Sequence, residues 1–210
     1  MKTTARRLLT SAAMAMTAVL AFGPAADAAT VVHTAHFQCQ ASSPLGPQTT
    51  ALDQDTTVTA PDTVAAGGAL SIVVDPAVNT VPSSVNGFTV QNVRNMRLKV
   101  PVPANSTYVS ATFSGGSSNL GAVTISQSGG IVTLTVPGPL AGGSTFDLPV
   151  VTVNLTAGAA GNTIASSLYG TSYANPGLLF VARVQSFFAF DSNVACYPSP
   201  NPVITTTQIV

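Results

Sequence analysis

The stretch FTVQNVRNMRLKVPV, Phe88 to Val102, decides the fold class. Met96, Leu98, Val100 and Val102 fall on one side of an extended chain, with Arg97 and Lys99 on the other. That two-residue period marks a β-strand with one face in a core and the other in solvent. Asn86-Gly87 stands just before it, a tight-turn pair whose residues tolerate positive φ.

The same signs recur on both sides. Val32, Thr34, His36 and Gln38 alternate with His33, Ala35, Phe37 and Cys39, until Pro44-Leu45-Gly46-Pro47 breaks the pattern. Thr56–Ala60 and Ala69–Val74 are short strand candidates separated by Pro61-Asp62 and a turn over Val64–Gly68. Downstream come Thr107–Phe113, then Ala122–Ser126 and Ile131–Val136 flanking Gly129-Gly130 as a hairpin. Phe146–Leu155 carries Pro149, which suits an edge or a bulge better than a sheet centre. Leu178–Phe190, 13 residues with Arg183 inside, is too short and too polar to span a bilayer. It reads as a central strand buried on both faces. About ten strands spaced 8–12 residues apart predict an all-β fold, a single antiparallel β-sandwich over residues 29–200. Residues 201–210 read as a C-terminal tail or edge strand.

Composition agrees. Of 210 residues, 46% are hydrophobic and only 7% charged, with 17 Gly, 15 Pro and neither Trp nor Glu. Helix surfaces are normally filled by Glu, Lys, Arg and Gln, so a helical bundle is close to excluded. The net charge is zero, and no basic footprint for nucleic acid is visible.

The N-terminal segment has the layout of a secretory signal peptide. Lys2, Arg6 and Arg7 precede an apolar stretch from Leu8 to Phe22, then Gly23-Pro24 and the A-x-A site Ala26-Asp27-Ala28. Residues 1–28 are therefore expected to be removed on export, leaving no membrane span. Four cationic and six acidic residues then remain, a formal charge of −2. In an exported chain the pair Cys39 and Cys196 reads as a disulfide. Such a bridge makes the first and last parts of the domain neighbours.

Two resemblances follow from phrases in the chain. Val102–Ala111 with its following Gly-rich turn, then Gly130–Val136 and Pro139–Phe146, resemble the immunoglobulin-like domains of bacterial surface proteins. Asn105 stands where those phrases carry Gly. Cys39, the phrase Ala60–Gly67 and Cys196-Tyr197-Pro198 resemble small secreted actinobacterial proteins of uncharacterised function. These likenesses imply a β-sandwich exposed at the cell surface.

Catalytic candidates are few. His33 and His36 are the only histidines, and a spacing of three puts them on opposite faces of a strand, so they form no metal clip. They read as surface histidines on an edge strand. The chain contains no nucleophile elbow, Walker loop, H-E-x-x-H or C-x-x-C. Asp53 and Asp55 share a face but lack the further ligands a calcium loop requires. No catalytic residue, metal site or cofactor is expected. Arg94, Arg97 and Lys99 fall in one hexapeptide. They suit contact with an anionic cell-wall polymer, or else guard a strand edge against pairing.

The sequence thus points to a secreted or cell-envelope-associated, non-catalytic β-sandwich. A structural, binding or adhesion module is the first reading, with wall polymer or another surface protein as partner. The alternative is a carrier of an apolar small molecule or lipid within the sandwich, which requires an internal pocket of at least about 300 Å³. A wall-associated β-barrel pore is disfavoured by the turn prolines and sparse aromatics.

Overall fold

A computed structural model describes residues 28–44 and 46–210. The expected signal segment lies outside these residues except for Ala28. The strands are β1 Ala28–Ala41, β2 Gln48–Pro61, β3 Thr63–Val64, β4 Ala69–Pro76, β5 Asn79–Thr80, β6 Ser84–Val85, β7 Phe88–Pro101 and β8 Ser106–Ser114. After a single 3₁₀ turn at Ser118–Leu120 come β9 Thr124–Ser128, β10 Ile131–Val136, β11 Leu140–Ala141, β12 Thr145–Phe146 and β13 Val150–Ala157. The last are β14 Thr163–Ser166, β15 Leu178–Gln185, β16 Ala189–Pro198 and β17 Thr205–Ile209.

Ten strands follow one antiparallel path, β8-β13-β4-β2-β1-β16-β15-β7-β10-β9. Its first five belong to one layer and its last five to the facing layer. Side chains of both layers, such as Leu52 and Leu98, look into one interior. The layers join along β1 and β16, and the two ends of the path, β8 and β9, lie against each other. The result is a sandwich whose layers are continuous on one side, a flattened barrel. The separately bonded sheets of an immunoglobulin domain are not its topology.

The seam between β1 and β16 is short. It runs from Phe37 opposite Pro198 to Ala41 opposite Val194, with Cys39 facing Cys196 at its midpoint. Those cysteines form the expected disulfide, with Cα atoms 4.0 Å apart and both side chains buried. The bridge therefore lies within the ladder that joins the two layers.

Alternation places the core as the sequence indicates. Val132, Leu134 and Val136 of β10 are buried opposite Val100, Leu98 and Met96 of β7. Val151, Val153 and Leu155 of β13 meet Val74, Ile72 and Leu70 of β4. The Asn86-Gly87 and Gly129-Gly130 turns adopt positive φ at both residues, 50° and 81° in the first, 58° and 75° in the second. Asn105 has φ 61°, so the residue standing in place of Gly occupies a left-handed position that Asn tolerates.

Four expectations need correction. Pro149 is not on an edge: it lies buried in the gap between β12 and β13, and β13 pairs on both sides, so its ring removes no ladder bond. Leu178–Phe190 is not one strand but the hairpin β15–β16, with its break at Ser186–Phe188. Its outward residues Leu179, Val181 and Arg183 are half-buried rather than sealed in a core. The C-terminal segment is no edge either, since β17 is flanked by β14 and β3 and buries Thr205, Thr207 and Ile209. Finally, β7 is paired on both sides, so its cations guard no edge.

Two outcomes test this architecture. Cys39→Ala is expected to cost about 2–5 kcal/mol in denaturant unfolding, the usual toll for a small secreted domain losing its bridge. Hydrogen exchange should quicken first along Phe37–Ala41 and its partners, ahead of β10 and β13. Asn95 of β7 also has a positive φ, 53°. Asn95→Val is expected to lose about 1–2 kcal/mol, while Asn95→Gly holds stability near the parent.

Candidate functional site

The two ends of the sandwich are filled differently. Around β4, β13 and β10 the interior is closed by Leu70, Ile72, Val153, Leu155 and Leu134. Around β1, β2, β7, β15 and β16 the layers stand apart and enclose a cavity of about 400 Å³. A closed sheet widens with strand number, and about eight strands already make an interior that side chains only just fill. Ten strands with no Trp and many Ala, Val and Ser leave space. Leu52, Leu98, Phe180 and Val184 face inward yet are only half-buried, because they border this space.

The wall is apolar. Phe37, Val90, Met96, Phe146, Leu178 and Phe180 supply most of it. Several polar residues at its border have protein partners already. Gln54 donates through Nε2 to the carbonyls of Asp55 and Ala77 at 2.8 and 3.0 Å, and accepts from Asn79 Nδ2 at 2.8 Å. Ser192 Oγ donates to the carbonyl of Ser42 at 2.6 Å. Asp53 borders the cavity through its place in β2, but its carboxylate turns outward to His36. The cavity therefore presents no free charge and is built for an apolar occupant.

It opens where three connections gather. These are the β1–β2 connection, the Asn86-Gly87 turn and the β15–β16 tip. Asn86 Nδ2 donates to the carbonyl of Thr49 at 3.3 Å, tying the β7 layer to the start of β2. Phe88 packs edge-on against Phe190 with ring centres 5.8 Å apart. Ala41, Ser43, Val85 and Phe190 line this end of the cavity.

Arg94, Arg97 and Lys99 stand on the outer face of β7. Strict alternation would separate Arg94 from the other two. Asn95 supplies an extra residue, and the β7–β15 register shifts there, so all three face outward. Each has a different setting. Arg94 and Arg183 both bind Asp191, Arg183 through Nη1 at 3.3 Å. The Arg94 hydrogen bond holds the Asp191 carboxyl below its ordinary pKa, with Arg183 adding to the effect against a smaller opposing effect of burial. Lys99 Nζ lies 5.5 Å from the ring centre of Tyr169. Arg97 is exposed. The hexapeptide is thus a dispersed row rather than a converging site, with Arg94 already neutralised in part.

The histidines do not meet. His36 Nδ1 is 2.8 Å from Asp53 Oδ1 on the outer face, both side chains more than half exposed. His33 borders a separate void of about 40 Å³, room for water rather than substrate. β1 lies between β2 and β16, so the histidines are not on an edge strand: only His33 lies where β1 pairs with β2 alone, and the His36 carbonyl accepts from Ser199 N at 2.8 Å. Asp55 accepts a 2.6 Å bond from Thr34 Oγ1. Among the described residues, no three His, Cys, Asp or Glu converge as metal ligands.

The cavity was the feature the sequence concealed. The signal lay in Leu178, Phe180, Ala182 and Val184, the inward set of β15, but a run apolar on both faces does not reveal which face meets space.

Comparison with known proteins bears on the fold. No family model matches the chain, and no curated protein matches it. A solved structure, "Crystal structure of Putative membrane anchored protein from Corynebacterium diphtheriae", is similar over 85% of this chain, with a TM-score of 0.57 and 16% identity. The match takes in 37% of that protein's chain, so this sequence spans little more than a third of its length. At that identity the likeness is one of fold.

The cavity has a direct test. Enlarging a buried side chain in a packed core costs about 1–3 kcal/mol. Ala182 is buried on the cavity wall. Ala182→Leu is expected to change unfolding stability by less than about 1 kcal/mol, because the added carbons enter empty space. A full overpacking cost would show that the space is closed in solution.

Proposed function

We propose that this protein is a non-catalytic module of the cell envelope or its exterior that holds an apolar small molecule or lipid chain inside its sandwich. The observation that carries this reading is the cavity of about 400 Å³ with an uncharged, apolar wall. Small-molecule sites typically enclose about 300–1,000 Å³ and bury most of their ligand. Each buried CH₂ contributes about 0.8 kcal/mol, so a modest hydrocarbon chain suffices for useful affinity.

An extracellular setting is supported by the disulfide and by the N-terminal secretory layout. The fold likeness to a Corynebacterium protein described as membrane anchored is in keeping with an envelope role. The non-catalytic reading is supported by the placement of the two histidines, which lie outside the large cavity and apart from each other. The wall-polymer reading of Arg94, Arg97 and Lys99 is less favoured, because the row has no converging geometry and Arg94 is engaged by Asp191.

Native mass spectrometry of the protein as its host processes it is expected to show one apolar molecule per chain, released by organic solvent. The empty protein should take up an uncharged fluorescent hydrocarbon probe with a stoichiometry near one. Ala182→Phe should abolish uptake while the fold is retained. Uptake unaffected by that substitution would refute the carrier reading.

A further inference from the structure

The β15–β16 hairpin ends in the two most exposed phenylalanines of the described residues. Phe187 is 100% exposed and Phe188 60% exposed. A folded protein leaves two adjacent phenylalanines in water only at a cost, and such patches mark contact with another apolar phase. These two are not isolated. Phe188 packs on Phe190 with ring centres 5.8 Å apart, and Phe190 packs on Phe88 at the same distance. Phe88 and Phe190 then line the cavity. An unbroken apolar track therefore runs from the tip to the interior.

The charge pattern around the tip is as informative. The three connections at this end, residues 41–50, 82–91 and 184–190, contain no Asp, Glu, Lys or Arg in sequence. The nearest charges are Arg183, Arg94 and Asp191, which carry one net positive charge and belong to one linked group. Arg183 faces Asp191 two residues behind Gln185 and Ala189, the last pair before the tip, a setback of about 7 Å on a strand with a rise of about 3.3 Å per residue. The residues beside the phenylalanines, Gln185, Ser186 and Ala189, are uncharged, and the cations stand back from the tip. Apolar groups that lie in a membrane interface reach about 5–10 Å into it, with cations kept toward the headgroups.

We propose that the β15–β16 tip docks this protein on a phospholipid bilayer by inserting Phe187 and Phe188. The docking stands on the tip itself. That docking also gives the cavity its route to lipid rests on the carrier reading above.

The protein has no Trp, so Phe187→Trp introduces a single reporter at the tip. Its emission is expected to shift to the blue on adding vesicles of equal parts phosphatidylcholine and phosphatidylglycerol. Phe187→Ser with Phe188→Ser is expected to lower vesicle partitioning at least about tenfold, given the apolar area removed. Thermal unfolding should stay unchanged, since the tip supports no core. Val32→Ser with Val78→Ser removes two other exposed apolar residues and should leave partitioning intact. Overturning results are an unshifted Trp emission, equal partitioning of the tip variant, or an equal loss in the Val32 and Val78 variant. Loss of a dimer in sedimentation, with no vesicle effect, would assign the tip to contact between copies and also overturn docking. Ala182→Phe separates the two readings. It should lose the cavity ligand and still bind vesicles, so either property can fail while the other survives.

Discussion

The five-pair ladder between β1 and β16 is the contact on which the rest of the structure depends. On one side of it the path runs β1-β2-β4-β13-β8, on the other β16-β15-β7-β10-β9. Each set is a five-stranded layer held by antiparallel ladders within itself. Phe37–Ala41 and Val194–Pro198 form the ladder that joins them. At the opposite side β8 and β9 touch without a ladder. The disulfide lies at the middle of the seam, with Ser42 N and Ser192 Oγ adding bonds just beyond it, to Asn193 O and Ser42 O respectively. The bridge closes a loop of 157 positions at the line from which the two layers separate.

That separation accounts for the contrast between the filled and hollow ends. Where β4, β13 and β10 face each other, Leu and Ile side chains span the gap and the small sheet β14-β17-β3 covers it with Ile164, Thr207 and Ile209. Next to the seam, the small side chains of Ala41, Ala182, Ser192 and Cys39 stand among the larger wall residues and do not reach across. Ser and Ala at inward positions usually weaken a core through lost burial. Here they are grouped around one space, which makes them the means by which the cavity exists. The Gln54 and Asn79 amides bond each other and nearby carbonyls, so the wall stays dry in character despite containing them.

Charge is distributed with the same economy. All four cations of the described residues lie on the outer face of β7 and β15, and Asp53 and Asp55 lie on that of β2. No charged side chain points into the interior, and none stands in the three connections at the open end. Ser, Thr, Asn and Gln take many of the outward strand positions instead. The phenylalanine pair at the β15–β16 tip is the exception to that economy.

The sequence by itself determined the all-β class, the tight turns at Asn86-Gly87 and Gly129-Gly130, the inward set of β7 and β10, and the cysteine pairing. Each of these depends on a local period, on two residues with positive φ, or on a count of two. Strand partners were not legible. Pro149 looked like an edge marker because sequence shows a proline without showing that the ladder starts one residue later. Leu178–Phe190 looked like one strand because the Ser186–Phe188 break carries no Gly or Pro. Arg94, Arg97 and Lys99 looked like an edge guard because a strand's neighbours are set by distant segments. The cavity was decided by tertiary structure alone. It depends on how far apart two layers stand, and that distance follows from closing ten strands through a short seam, which no window of sequence contains.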